Sequence, residues 1–238
     1  MDNTTITYLL GVLFSVAIGF PAGYSIVYVF NRIPAKWLCD YGEEPDKEMW
    51  DERIKKQPWD SVFSLVFIAS AVKLLNQGPL YLIAGILALW LLLQIGIADK
   101  KYMIIPDQYV IGLAVTALGF IPFQSSYLSP LFGALIGGGS FFLIGAVGKW
   151  ILKKDAMGFG DVKLLASVGL MVGMKGILIV LIITIFTSAI ILGFCLLTRR
   201  IERGEEQPLG PFIVAATAAY ILFQQEILFL VDWYLNLY

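Results

Sequence analysis

The residues able to do chemistry in this chain are a few carboxylates placed where acids are expensive. Asp161 stands in Gly158-Phe159-Gly160-Asp161-Val162-Lys163-Leu164-Leu165-Ala166, between two long apolar runs. An ionisable group at or just inside a bilayer is costly and marks a functional site by default. Gly158 and Gly160 make a side-chain-free lead-in that permits unusual dihedrals and close backbone approach. A second acid, Asp99, follows another apolar run in Ile97-Ala98-Asp99-Lys100-Lys101-Tyr102-Met103-Ile104-Ile105-Pro106-Asp107. Two carboxylates held close cannot both ionise easily, so the pair shares a proton. The ionised member can take a proton from water while the protonated member polarises a peptide carbonyl. That is general acid–base hydrolysis without a covalent intermediate.

Each acid also has a plainer reading. Asp99 beside Lys100 and Lys101 suits interfacial charge decoration. Asp107 after Pro106 and Asp161 before Val162 suit helix N-caps. Lys163 and Ser167, one turn apart, form a nominal Ser-Lys pair, or Lys163 simply snorkels to the surface.

Composition narrows the field. Of 238 residues, 58% are hydrophobic and 15% charged, which points to an integral membrane protein. The net charge of -1 leaves no electrostatic footprint for nucleic acid. The chain has no histidine, which removes Ser-His-Asp and Cys-His catalysis and HExxH metal sites. Two cysteines, Cys39 and Cys195, provide neither a four-Cys zinc site nor a disulfide framework. No metal is expected, and carboxylates are the main hydrolytic candidates left.

The elements that must position these acids read as apolar spans. The amino end has an acid and no Lys or Arg, so a cleaved signal peptide is not expected. Residues 1–30 form a first transmembrane helix with Pro21 as a kink candidate. Residues 31–60 form a polar loop of mixed charge with Trp50 and Trp59 at headgroup level. Residues 61–238 form the membrane core, with spans at 61–75, 80–97, 109–123, 128–147 and 211–231. The run 162–197 is too long for one crossing and should break at Gly173-Met174-Lys175-Gly176. The expectation is an all-α polytopic membrane protein of about eight transmembrane helices. The loops 31–60, 98–108, 148–163 and 198–210 carry all but Lys73 and Lys175 of the 17 Lys and Arg. The positive-inside rule makes those loops cytoplasmic and both termini extracytoplasmic.

The segment Met157–Ala166 resembles the GxGD motif of type IV prepilin peptidases, down to its trailing Asp-Val-Lys-Leu. The segment Asp99–Asp107 resembles that family's first-aspartate motif, an Asp followed by Ile-Pro-Asp. Asn31-Arg32-Ile33-Pro34 and Pro208-Leu209-Gly210-Pro211-Phe212 resemble two further family segments in the same order. The resemblance implies a membrane aspartic endopeptidase of the plasma membrane, active at the cytoplasmic face. It implies removal of the basic leader from prepilin or pseudopilin precursors after a Gly. Asp99 and Asp161 become the catalytic pair, with Gly158, Gly160, Lys163 and Asp107 in support. Partners are then the precursor substrates and membrane lipid. Proteolysis needs no cofactor, whereas N-methylation of the new terminus, an activity common in the family, would use S-adenosylmethionine. The paired Cys-x-x-Cys motifs of many members are reduced here to Cys39, and Gly19-Phe20-Pro21-Ala22-Gly23-Tyr24 replaces their Gly-Ser-Phe-Leu-Asn-Val. The alternatives are a presenilin-like GxGD protease, disfavoured by Ala98 and by Pro208-Leu209-Gly210, and an ion transporter with the two Asp as ligands.

Overall fold

The computed structural model describes residues 3–39, 42–153, 158–202 and 204–236. Met157, at the edge of the GxGD-like segment, lies outside them. Seven α-helices run through the described residues: α1 (Asn3–Phe30), α2 (Trp59–Leu75), α3 (Pro79–Tyr102), α4 (Asp107–Thr116), α5 (Ser129–Leu152), α6 (Phe159–Leu197) and α7 (Gly210–Leu235). A 3-10 segment, Ala117–Phe123, extends α4.

The chain is an all-helical, polytopic membrane protein. Five helices, α1, α3, α5, α6 and α7, are long and apolar enough to cross a bilayer; the apolar stretch Asp107–Phe123 is shorter. Their outward faces carry large apolar side chains such as Leu13, Leu87, Leu135 and Phe186. A membrane helix exposes such residues to acyl chains at no cost, because lipid is as apolar as the core. Helix starts follow local rules: α3, α5 and α7 each carry a proline in the first turn, where a missing N–H is harmless. Helix α1 runs through Pro21 without a break.

The long run over 162–197 does break where its length requires. Gly173 has φ 72° and ψ -177°, inside a helix otherwise continuous over 39 residues. The geometry around Gly137 on α5 shows how sharp the break is. A Cβ there would stand 2.4 Å from the Leu165 carbonyl oxygen and 3.0 Å from Ile177 Cγ1. Those two residues would lie about 18 Å apart along a straight helix. The chain therefore doubles back at Gly173, and both limbs of α6 pack on α5. The close approach uses small residues, with Gly133 of α5 against Gly169 of α6. Side chains cap the groups that the break frees. Gln124 Nε2 donates to the Leu170 and Met171 carbonyls at 3.0 Å each, and the Met174 N–H donates to Ser129 Oγ at 3.1 Å.

Two boundaries differ from the sequence expectation, and both move an acid. Helix α3 continues past residue 97 to Tyr102, so Asp99 sits in its last turn and not in a loop. The connection to α4 shrinks to residues 103–106, with Met103 in the left-handed conformation and its N–H bonded to the Asp99 carbonyl at 2.8 Å. Helix α6 begins at Phe159, which puts Asp161 inside its first turn.

The polar segment before α2 folds back onto the core. Asn31 exchanges two hydrogen bonds with the Ile54 backbone, at 2.8 and 2.9 Å. The buried Arg53 guanidinium donates to the Phe30 and Met49 carbonyls at 2.7 Å each. Burial lowers the Arg53 pKa from its ordinary value, and the nearby Tyr102 and Tyr109 oppose that shift. Lys101 Nζ, next to the Asp99 turn, donates to the Arg53 carbonyl at 2.6 Å. The segment is thus bolted to the end of α3 that carries Asp99.

Candidate active site

Three helix ends meet around the two acids: the C-terminal turn of α3, the first turn of α6 and the first turn of α7. Asp99 is only 5% exposed, and its α3 neighbours Ile95 and Ala98 belong with Leu164, Leu165 and Ile213 to one continuous buried core. A carboxylate at the C-terminal end of its own helix faces that helix's negative pole. Here the neighbouring helix compensates. The Gly210 N–H, one of the free donors that open α7, donates to Asp99 Oδ2 at 2.8 Å.

Asp161 lies within electrostatic reach of Asp99. Its Oδ1 is buried and has no hydrogen-bond partner among the described residues. A buried polar atom without a partner costs about 1–3 kcal/mol, and such atoms gather where a site awaits a proton, a water or a substrate. The two acids singled out in the sequence therefore converge, although 62 positions separate them.

The motifs around them interlock twice more. Lys163 Nζ pairs with Asp107 Oδ1 at 2.6 Å, joining the first turns of α6 and α4. This replaces both sequence readings of Lys163, the Ser-Lys pair and the free snorkelling side chain; Ser167 is buried. Gly160 lies against Ile105, where an added Cβ would come within 3.1 Å of Ile105 Cβ. Its small size admits the 103–106 turn.

The remaining expectations need correction in their physical reasons. Asp107 is not an N-cap: Pro106 holds that position and makes no side-chain cap bond, and Asp107 is the first residue of α4. Asp161 is not an N-cap either, because Gly158 precedes the helix. Gly158 does not need special dihedrals, since φ -68° and ψ 132° suit any residue. A Cβ at Gly158 would sit 3.7 Å from Asp161 Oδ2, an ordinary contact on the face of the acid.

Gly210 is the residue that reasoning from types and spacing missed. A Cβ on it would stand 2.6 Å from Asp99 Oδ2, so only glycine lets the α7 backbone reach the carboxylate. Its one signal was the Pro-Leu-Gly-Pro-Phe segment, which carried no chemistry of its own.

Residues 86–194, which include both acids, match the type IV leader peptidase family. The prepilin leader peptidase/N-methyltransferase of Xanthomonas campestris pv. campestris is 31% identical over 144 residues, covering 59% of this chain and 48% of the relative. The protein of the same name from Aeromonas salmonicida is 30% identical over 160 residues, covering 65% and 53%. That from Pseudomonas aeruginosa is 29% identical over 149 residues, covering 60% and 50%. The chain thus spans about half the length of the relatives it matches. No solved structure matches it significantly.

Proposed function

From the match of residues 86–194 to the type IV leader peptidase family, we propose that this chain is an aspartic endopeptidase that removes the leader from type IV prepilin or pseudopilin precursors. Asp99 and Asp161 are its catalytic pair. The observation that carries the reading is a buried, unpartnered Asp161 oxygen within electrostatic reach of an Asp99 carboxyl held by the Gly210 N–H. In the reaction, the ionised carboxyl takes a proton from water and the water oxygen bonds to the scissile carbonyl carbon. The protonated carboxyl polarises that carbonyl. Collapse of the tetrahedral adduct breaks the C–N bond, and a proton passes to the departing amine. Gly210 positions Asp99 through its N–H on Oδ2, and the Lys163–Asp107 pair ties α6 to α4 beside the acids.

The charge pattern of the loops supports a pair working at the cytoplasmic face of the plasma membrane. A substrate with an apolar segment in the bilayer and a basic leader in the cytosol would then present its junction to the acids. The ion-transporter alternative is less favoured, since both acids sit in terminal turns of their helices and not at mid-span.

The relatives' name includes a methyltransferase, and methylation of the new N-terminus would use S-adenosylmethionine. The cavity lined by Tyr81, Gln124 and Tyr220 holds about 10 Å³, room for about one water and too small for a nucleoside.

The test is incubation of membranes containing the full chain with a prepilin that has its basic leader, followed by mass spectrometry of the product. A single cut between leader and apolar segment supports the proposal. An intact precursor, with a known peptidase cutting it in parallel, overturns it. A 14 Da increment on the product would add the methyl transfer, following from one CH2 gained.

A further inference from the structure

A groove between α1 and α2 carries chemistry that the peptidase reading does not use. It has a volume of about 500 Å³ and is lined by Phe20, Tyr24, Lys56, Gln57, Asp60, Ser61 and Ser64. Its depth is fixed by the helix pair. The Gly23 backbone lies against Phe63 and Ser64, where an added Cβ would stand 2.4 Å from the Phe63 carbonyl oxygen. Ser64 Oγ also donates to the Phe20 carbonyl at 3.4 Å. The groove therefore sits at the first turns of α2, where the chain passes from the polar segment into its apolar run. Trp59, stacked on Phe63 and half exposed, marks the same level. Tryptophan at that position suits the headgroup layer.

The charges in the groove are complementary to a zwitterion. Lys56 and Asp60 both line it, yet neither takes part in an ion pair among the described residues. Ser61 and Gln57 add short hydrogen-bonding groups between them. Phe20 and Tyr24 stack at 6.2 Å and stand half exposed toward lipid. One cation, one anion and an aromatic wall at headgroup depth match a phosphate, an ammonium and the start of an acyl chain.

We propose that this groove is a binding site for a phospholipid with a primary ammonium headgroup, a phosphatidylethanolamine. Lys56 and Ser61 hold the phosphate, Asp60 accepts hydrogen bonds from the ammonium, and Phe20 and Tyr24 cover the glycerol end. A quaternary ammonium has no N–H to give Asp60, and a glycerol headgroup brings no positive charge. The site rests on the membrane reading and is independent of the Asp99–Asp161 pair.

Native mass spectrometry of the full chain, released from detergent with added lipid, tests this. The probes are phosphatidylethanolamine, phosphatidylcholine and phosphatidylglycerol with the same acyl chains. The wild type should retain the ethanolamine lipid about threefold over each of the others, the scale of one exposed charge contact. Asp60→Asn should reduce it to the choline level, and Lys56→Gln should weaken all three. Ser61→Ala, which changes no charge, should weaken all three to a smaller degree. Each variant should melt with the wild type in the same detergent. Equal retention of the three lipids by the wild type overturns the proposal, as does an ethanolamine preference that survives Asp60→Asn. Displacement of the lipid by a synthetic basic leader peptide also overturns it and gives the groove to the substrate.

Discussion

At the scale of single residues, the account depends on how Asp99 is held. Its Oδ2 takes the Gly210 N–H at 2.8 Å, and no side chain fits between them. Gly210→Ala should therefore push the carboxyl away from α7 and cut leader cleavage by about tenfold to a hundredfold, as misplacement by an ångström does. The check is the cleavage rate in membranes that hold equal amounts of inserted protein. The Lys163–Asp107 pair is about one-third exposed on each side, so its coupling should be modest, roughly 0.5–1 kcal/mol. A double-mutant cycle with Lys163→Met and Asp107→Asn, read by melting in detergent, should show the double variant destabilised by less than the sum of the singles. The two acids were legible in the sequence because a charge in an apolar context has few innocent explanations. Gly210 was not, because the contact spans 111 positions and a glycine announces nothing about what approaches it. Lys163 was legible as a residue of interest but not in its role, since its partner lies on another helix.

At the scale of elements, the decisive feature is the reversal of α6. Its first limb, 14 residues from Phe159 to Val172, spans about 21 Å, short of a full bilayer. The reversal brings both limbs onto α5 and keeps Asp161 at the end that faces α3 and α7. Gly173 has φ 72°, and a Cβ there would meet Ser129 Oγ at 2.4 Å and Gln124 Oε1 at 2.5 Å. Gly173→Ala should destabilise by about 2 kcal/mol or more, through left-handed strain and lost capping. Its melting temperature in detergent should fall well below that of Gly193→Ala, a site with open space around it. The break was legible from arithmetic alone, since a 36-residue apolar run exceeds any bilayer. The last turn of α3 was not. Lys100 and Lys101 read as the start of a loop, yet Lys101 reaches the Arg53 carbonyl and the helix continues beneath it.

At the scale of the whole molecule, three helix ends bring the two acids together on one face. The helix ends carrying Asp99, Asp161 and Gly210 lie together, and the Arg53-anchored segment closes over the same region. The proposed orientation, argued from the loop charges, turns this face toward the cytoplasm. In a chain with both native cysteines replaced, single cysteines at Lys55 and Glu205 should be blocked by an impermeant thiol reagent only after the membrane is opened. One at Asn76, in the turn between α2 and α3, should be blocked in intact cells. Labelling of all three from outside would contradict that orientation. The fold class was legible because composition and length admit little else. The span count was less so, since α2 and α4 are too short to declare themselves by apolar length.

The measurement that bears most directly on the central claim is leader cleavage by Asp99→Asn, Asp161→Asn and Asp107→Asn, each inserted at wild-type level. The account predicts that either of the first two substitutions abolishes cleavage, because a carboxamide can neither accept the proton of water nor give one to the carbonyl. Asp107→Asn should still cut, more slowly, because it loses the ion pair with Lys163 and no reacting carboxyl. Cleavage that survives Asp99→Asn or Asp161→Asn would contradict the assignment of these two carboxyls as the catalytic pair.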